Sequence, residues 1–166
     1  MLISFSKMNK KSIFFILLSL FFLNLHSQKK MITPTYLQKG DTVAIVSTAR
    51  KNIDDNLKPT IDLLEGWGLT VKLGKTIGLD YYQLAGTDEQ RAADFQEQMD
   101  NPNIKAIWCV RGGYGTVKII DKLDFTKFRQ NPKWIIGFSD VTVLHGHLNR
   151  MGIESLHATM PVAIPR

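Results

Sequence analysis

The chain has 166 residues, 44% hydrophobic and 22% charged, the balance of one ordinary globular domain with a real core. Half of its formal charge of +6 gathers at one end: Lys7, Lys10 and Lys11 precede the first acid, Asp41, and from Gln28 onward 18 Lys and Arg face 15 Asp and Glu. So scattered an excess makes no case for a nucleic-acid or anionic-membrane partner, and the lone Cys109 excludes an internal disulfide and a cysteine-built zinc cluster.

Behind the lysines runs an apolar stretch, Ser12 to Leu23, too short to span a bilayer comfortably. This order reads as a secretory signal, with cleavage expected after Ser27 and Met8 as a possible true start. An uncleaved anchor is the alternative, because Leu25-His26-Ser27 is not an ideal small-x-small site. In either case residues 1–27 lie outside the fold and 28–38 form a lead. The domain covers 39–166, and the product is expected to be exported, to the periplasm.

Thr42 to Ser47 is a continuous apolar run, the pattern of a central parallel strand covered on both faces. Leu57, Ile61 and Leu64 then repeat at helical spacing, with Pro59 near the start where its missing N–H is harmless, and Gly66 and Gly68 end that helix. Leu69 to Leu73 is a second strand. Thr87 with Gln90 has the form of a capping box, opening a helix whose Ala92, Phe95 and Met99 face inward. Ile104 to Val110 is a third strand, followed by the loop Arg111 to Gly115 and a short helix carrying Val117, Ile119 and Ile120. Lys133 to Gly137 is a fourth strand, Val141 to Met151 a helix, and Ile153 to Leu156 a last strand. Alternating strands and helices predict an α/β fold, flavodoxin-like or Rossmann-like, with a parallel sheet flanked by helices and sites at the carboxyl ends of the strands. That rule selects three loops, Ser47 to Arg50, Arg111 to Gly115, and Gly137 to Asp140, which should gather on one edge.

Ser139 stands where an apolar strand turns directly into a helix, two residues after a glycine. This is the setting of a nucleophile elbow, with helix N–H groups ready for a developing oxyanion. Ser139 and Asp140 serve equally well as a plain helix cap. Gly112 and Gly113 leave their amides open to an anion or carbonyl oxygen, or simply make a tight turn; the segment lacks the G-x-G-x-x-G spacing of a dinucleotide site. Arg111 suits a substrate carboxylate or a structural one. A serine nucleophile needs a base, and His145 and His147 lie about 9–12 Å along the helix from Ser139, at about 1.5 Å per residue. They read as surface or packing residues; His157 is harder to dismiss.

Residues Ile107 to Gly115 and Ile136 to Thr142 resemble the two signature stretches of the LD-carboxypeptidase family of serine peptidases, which includes murein tetrapeptide carboxypeptidases and microcin-immunity peptidases. Leu84 to Arg91 and His157 to Pro161 add to the likeness, which runs from about Lys39 to the end. The resemblance implies that Ser139 is the nucleophile and that the backbone N–H of Asp140 and of Gly113 or Gly112 form the oxyanion hole. It implies a Ser-Glu-His triad completed from a C-terminal domain, and no residue here matches that Glu or that His. The chain is therefore expected to be an N-terminal half, inactive alone, whose partner is that missing domain, with a homodimer as a possible assembly. The implied reaction releases terminal D-alanine from peptidoglycan peptides, without metal or cofactor. A non-catalytic muropeptide-binding domain is the alternative.

Overall fold

The computed structural model describes residues 9–23, 30–52 and 57–164. It divides into a unit over Met1–Lys30 and a unit over Met31–Arg166. In the first, helix α1 (Lys10–Leu23) opens on Asn9, whose Oδ1 accepts from Ser12 N at 2.8 Å, and Ile13, Phe14, Phe15 and Ile16 are exposed. No described helix is long and apolar enough to cross a membrane. The expected cleavage point at Ser27 lies outside the described residues.

The second unit contains β1 (Thr42–Val46), α2 (Lys58–Gly66), β2 (Thr70–Leu73), α3 (Asp88–Asp100), β3 (Ile104–Cys109), α4 (Thr116–Ile119), α5 (Thr126–Gln130), β4 (Trp134–Gly137), α6 (Thr142–Met151) and β5 (Leu156–His157). All strand pairs are parallel and the order is β2-β1-β3-β4-β5. This is the flavodoxin-type doubly wound order, in which the chain leaves β1 in one direction and β3 in the other. The crevice opened by that reversal lies between the loops after β1 and β3.

Strand alternation sends Ala44, Val46, Ile107, Cys109 and Ile135 to one face, where Phe95 and Met99 of α3, Phe128 of α5, and Leu144 and Leu148 of α6 close the core. Val43, Ile45, Ala106, Trp108 and Trp134 point to the other, under Leu64 of α2. There Thr60 Oγ1 donates to Pro161 O at 2.9 Å, tying α2 to the 3₁₀ turn Pro161–Ala163. Between these elements an apolar groove of about 400 Å³ is left, lined by Leu37, Leu63, Trp67, Trp108, Leu156 and Ile164 among others.

The expected capping box is present at α3: Thr87 Oγ1 accepts from Gln90 N, and Gln90 Oε1 accepts from Thr87 N. Two elements differ from the sequence reading. The last strand is Leu156–His157 rather than Ile153 to Leu156; Ile153 instead makes a parallel bridge to Ile32. The lead thus runs along the sheet edge, with Trp134 Nε1 donating to Thr35 O at 3.0 Å and Tyr36 stacked on the Trp134 ring. Helix α5 had no sequence signal, because one turn of TKFRQ is too short for a period and buries only Phe128.

Replacing Thr87 with Ala should cost about 1 kcal/mol, the usual value of a cap. Leu144→Ala, at a fully buried core position, should cost about 2–5 kcal/mol. Urea unfolding of the two variants checks this order, and equal losses would overturn it.

Candidate active site

The chain leaves β4 through Gly137, whose φ of +155° and close approach to Val141 disfavour a side chain: an added Cβ would lie 3.0 Å from Val141 Cγ2. Ser139 then takes φ +58°, a left-handed conformation that costs a non-glycine residue about 1–3 kcal/mol and persists only where its surroundings enforce it. The turn Ser139–Val141 runs straight into α6, so Ser139 is exposed above the carboxyl end of the sheet. Its Oγ has no hydrogen-bond partner among the described residues. The capping alternative fails locally, since neither Ser139 nor Asp140 caps the helix it begins.

The three expected loops do meet. A Cβ on Gly112 would lie 3.3 Å from Ser139 Oγ and 3.6 Å from Asp140 N, so the bare backbone of Gly112 faces the serine hydroxyl and the first amide of the turn. Gly113, at φ +141°, sits against Arg50. The amides of Gly112 and Gly113 donate to no protein acceptor among the described residues. Arg50, Arg111, Gly112, Gly113, Phe138, Ser139, Met160 and Val162 line an open cleft of about 240 Å³. Arg111 donates from Nη1 to Lys51 O at 3.2 Å, a structural tie to the loop after β1.

Three side chains not chosen from sequence hold this edge together. The first is the carboxylate of Asp140, considered before only for its amide or as a cap on its own helix. Its Oδ2 accepts from Gly115 N at 3.1 Å, Thr116 N at 2.9 Å and Thr116 Oγ1 at 2.7 Å. Asp140 therefore caps α4 from the neighbouring loop and clamps the glycine loop to the elbow. Thr116 Oγ1 also lies 2.9 Å from Thr48 Oγ1, and since its one proton goes to Asp140, Thr48 is the donor there.

The second is Arg91, fully buried on α3. It donates from Nη1 to Thr48 O at 2.6 Å and Gly115 O at 3.0 Å, from Nε to Gly86 O at 3.3 Å, and from Nη2 to Asp88. Burial lowers its pKa, and Asp88, Asp140 and Glu89 oppose that shift. A sequence signal existed: Arg91 shares the inward face of α3 with Phe95, four residues on, and an arginine there needs buried acceptors.

The third is His145, read before as surface or packing. Gly137 O can only accept, so Nε2 carries the proton and donates to it at 2.9 Å, while Nδ1 accepts from Ser155 Oγ at 2.8 Å. Both ring nitrogens are thus engaged away from Ser139. Burial pushes the His145 pKa down, the Gly137 bond opposes this, and His157 adds to it. His147 stacks on Phe125, as packing, and the His157 ring lies 5.7 Å from His145 and 6.2 Å from Phe138. Burial pushes the Cys109 thiol up to about 12, which removes it as a nucleophile. Among the described residues no group of His, Cys, Asp and Glu could hold a metal ion.

The family model of the LD-carboxypeptidase N-terminal domain matches residues 43–158. A probable murein peptide carboxypeptidase of Bacillus subtilis is 38% identical over 128 residues, which cover 76% of this chain and 40% of that protein. The murein tetrapeptide carboxypeptidase of Pseudomonas aeruginosa is 38% identical over 122 residues, covering 73% of this chain and 39% of that one. Among solved structures, microcin C7 self-immunity protein MccF in complex with aspartyl sulfamoyl adenosine superposes with a TM-score of 0.67 at 28% identity, over 74% of this chain and 37% of that one. The chain thus spans about two fifths of the length of the curated relatives it matches.

Two outcomes test the bracing. Asp140→Ala leaves three donors without their charged acceptor and should cost about 2–3 kcal/mol in urea unfolding, against under about 0.5 kcal/mol for an exposed site such as Val117→Ala. For His145, the folded chain binds a proton less readily than the unfolded chain, so the unfolded state takes up more protons just below the ordinary histidine pKa. The stability owed to the neutral ring is then complete above about pH 6.5 and is lost as pH falls. His145→Gln should show a shallower loss of unfolding midpoint between about pH 7.5 and about pH 5.5; an unchanged slope would remove His145 from the account.

Proposed function

Because the chain belongs to the LD-carboxypeptidase family, we propose that it carries the nucleophile and oxyanion hole of a serine-type LD-carboxypeptidase that removes terminal D-alanine from peptidoglycan peptides. The observation that carries this reading is Ser139 at φ +58°, its hydroxyl against the bare backbone of Gly112 and the amide of Asp140. A strained, exposed serine between unengaged main-chain donors suits attack on an amide carbonyl. Ser139 Oγ would add to the scissile carbonyl, and its oxygen would take the developing charge beside the amides of Asp140 and of Gly112 or Gly113. Collapse of this adduct would break the amide C–N bond, expelling D-alanine with the proton the base took from Ser139 and leaving an acyl-enzyme that water would hydrolyse.

The base is a separate requirement, and neither His145, committed at both nitrogens, nor His147, packed on Phe125, meets it. We assign the base and its orienting partner to a second folded unit facing the cleft. Two facts support this: the matched relatives are much longer than the match, and an apolar groove beside Leu156 and Ile164 is left open. The basic, apolar N-terminal segment supports export, so the peptides cleaved would be those of the envelope.

Ser139→Ala should lower D-alanine release from a murein tetrapeptide by about 10⁴-fold or more in the protein that carries the complete triad. Ser139→Gly should do the same while raising stability by about 1 kcal/mol, because glycine relieves the left-handed strain. Release that survives either change would sink the serine mechanism. Retained tetrapeptide binding with no release in the unmodified protein, and no labelling by a fluorophosphonate, would favour a non-catalytic binding domain.

A further inference from the structure

The cleft contains two arginines, and their surroundings set them to different work. Arg111, the carboxylate candidate from sequence, is half-buried and spends part of its donor fork on Lys51 O. Arg50 is exposed and lines the same cleft beside Gly113, Phe138 and Ser139. Its side chain enters no hydrogen bond or ion pair among the described residues.

The Arg50 backbone, by contrast, is held firmly. Its N–H donates to Gly112 O at 3.4 Å, and the residue forms an antiparallel bridge with Leu84. The stem of the side chain lies across Gly113, where an added Cβ would meet Arg50 Cγ at 2.7 Å. Gly113 is therefore glycine in part because Arg50 occupies the space a side chain would take. An anchored stem with an uncommitted guanidinium beside the nucleophile is preorganised for an anion. The carboxylate of the elbow does not pair with it: among the described residues no ion pair or hydrogen bond joins Asp140 to Arg50, and Asp140 Oδ2 is turned to Gly115 and Thr116.

A carboxypeptidase acts only at a chain end, and the chemical mark of that end is a carboxylate one residue beyond the scissile amide. We propose that Arg50 receives the substrate's C-terminal carboxylate, seating the leaving residue over Gly113, and that Arg111 instead holds the loop. Arg50 is then the residue that confines Ser139 to terminal residues. This rests on the serine carboxypeptidase reading above. The guanidinium fork matches a carboxylate in a way an ammonium does not, so lysine at this position should serve only in part.

Calorimetric titration of the chain with a murein tetrapeptide ending in D-alanine, and with its C-terminal amide, tests the assignment. The free acid should bind about tenfold more tightly than the amide. Arg50→Gln should abolish that ratio by weakening the acid alone. Arg50→Lys, which keeps a stem over Gly113 and so guards against a folding defect, should retain part of the ratio, and Arg111→Gln should retain it. A ratio that survives Arg50→Gln, or is lost in Arg111→Gln instead, overturns the role of Arg50. A chain that does not distinguish acid from amide overturns it too. Failure of the parent reading shows separately, as D-alanine release that persists in Ser139→Ala.

Discussion

One carboxylate oxygen, Asp140 Oδ2, takes hydrogen bonds from Gly115 N, Thr116 N and Thr116 Oγ1, and the geometry of the cleft depends on that convergence. The donors belong to the loop after β3 and the acceptor to the turn after β4, so the bonds fix one loop relative to the other. Arg91 does the same from beneath, joining Thr48 O in the loop after β1 to Gly115 O. Between these groups, the left-handed backbone of Ser139 is held by contacts it does not make itself. Such over-determination is what allows a strained residue to persist. The charges involved are compensated in place: a buried guanidinium meets carbonyls and Asp88, and the partly buried Asp140 meets main-chain and hydroxyl donors.

How much of this could be read in the sequence follows from the range over which each signal acts. Ser139, Gly112 and Gly113 were legible because strand-turn-helix punctuation is local: an apolar run, a glycine and a serine fall within a few residues. The capping box at Thr87 and the buried faces of β1 and α3 were legible for the same reason, since period and cap are short-range properties. The carboxylate of Asp140 was not, because its partners lie more than twenty residues away and its type is equally suited to capping its own helix. His145 was judged by its distance from Ser139 along the helix, which was sound, but its real partner is the Gly137 carbonyl. The end of the sheet was misplaced by a few residues because Ile153, although buried, pairs with the lead segment rather than with β4.

The two faces of the sheet divide the labour of the molecule. The face under α3, α5 and α6 is closed by large apolar side chains, and Arg91 reaches the crevice from it. The face under α2 is closed less completely, with Trp108 and Trp134 turned toward the short C-terminal turn and the lead. The histidine pair at the far side belongs to neither core. It lies along the last strand, where His145 couples the carbonyl of Gly137 to Ser155.

The position of β1 also bears on how the molecule is made. It lies between β2 and β3, both of which come later in the chain. While the polypeptide is being synthesised, Thr42-Val43-Ala44-Ile45-Val46 therefore emerges with neither neighbour, and its second edge stays open until Ile104–Cys109 has followed. A β-branched, uncharged run left unpaired for that interval is the natural target for chaperone holding, and the first place where two nascent chains would stick to each other.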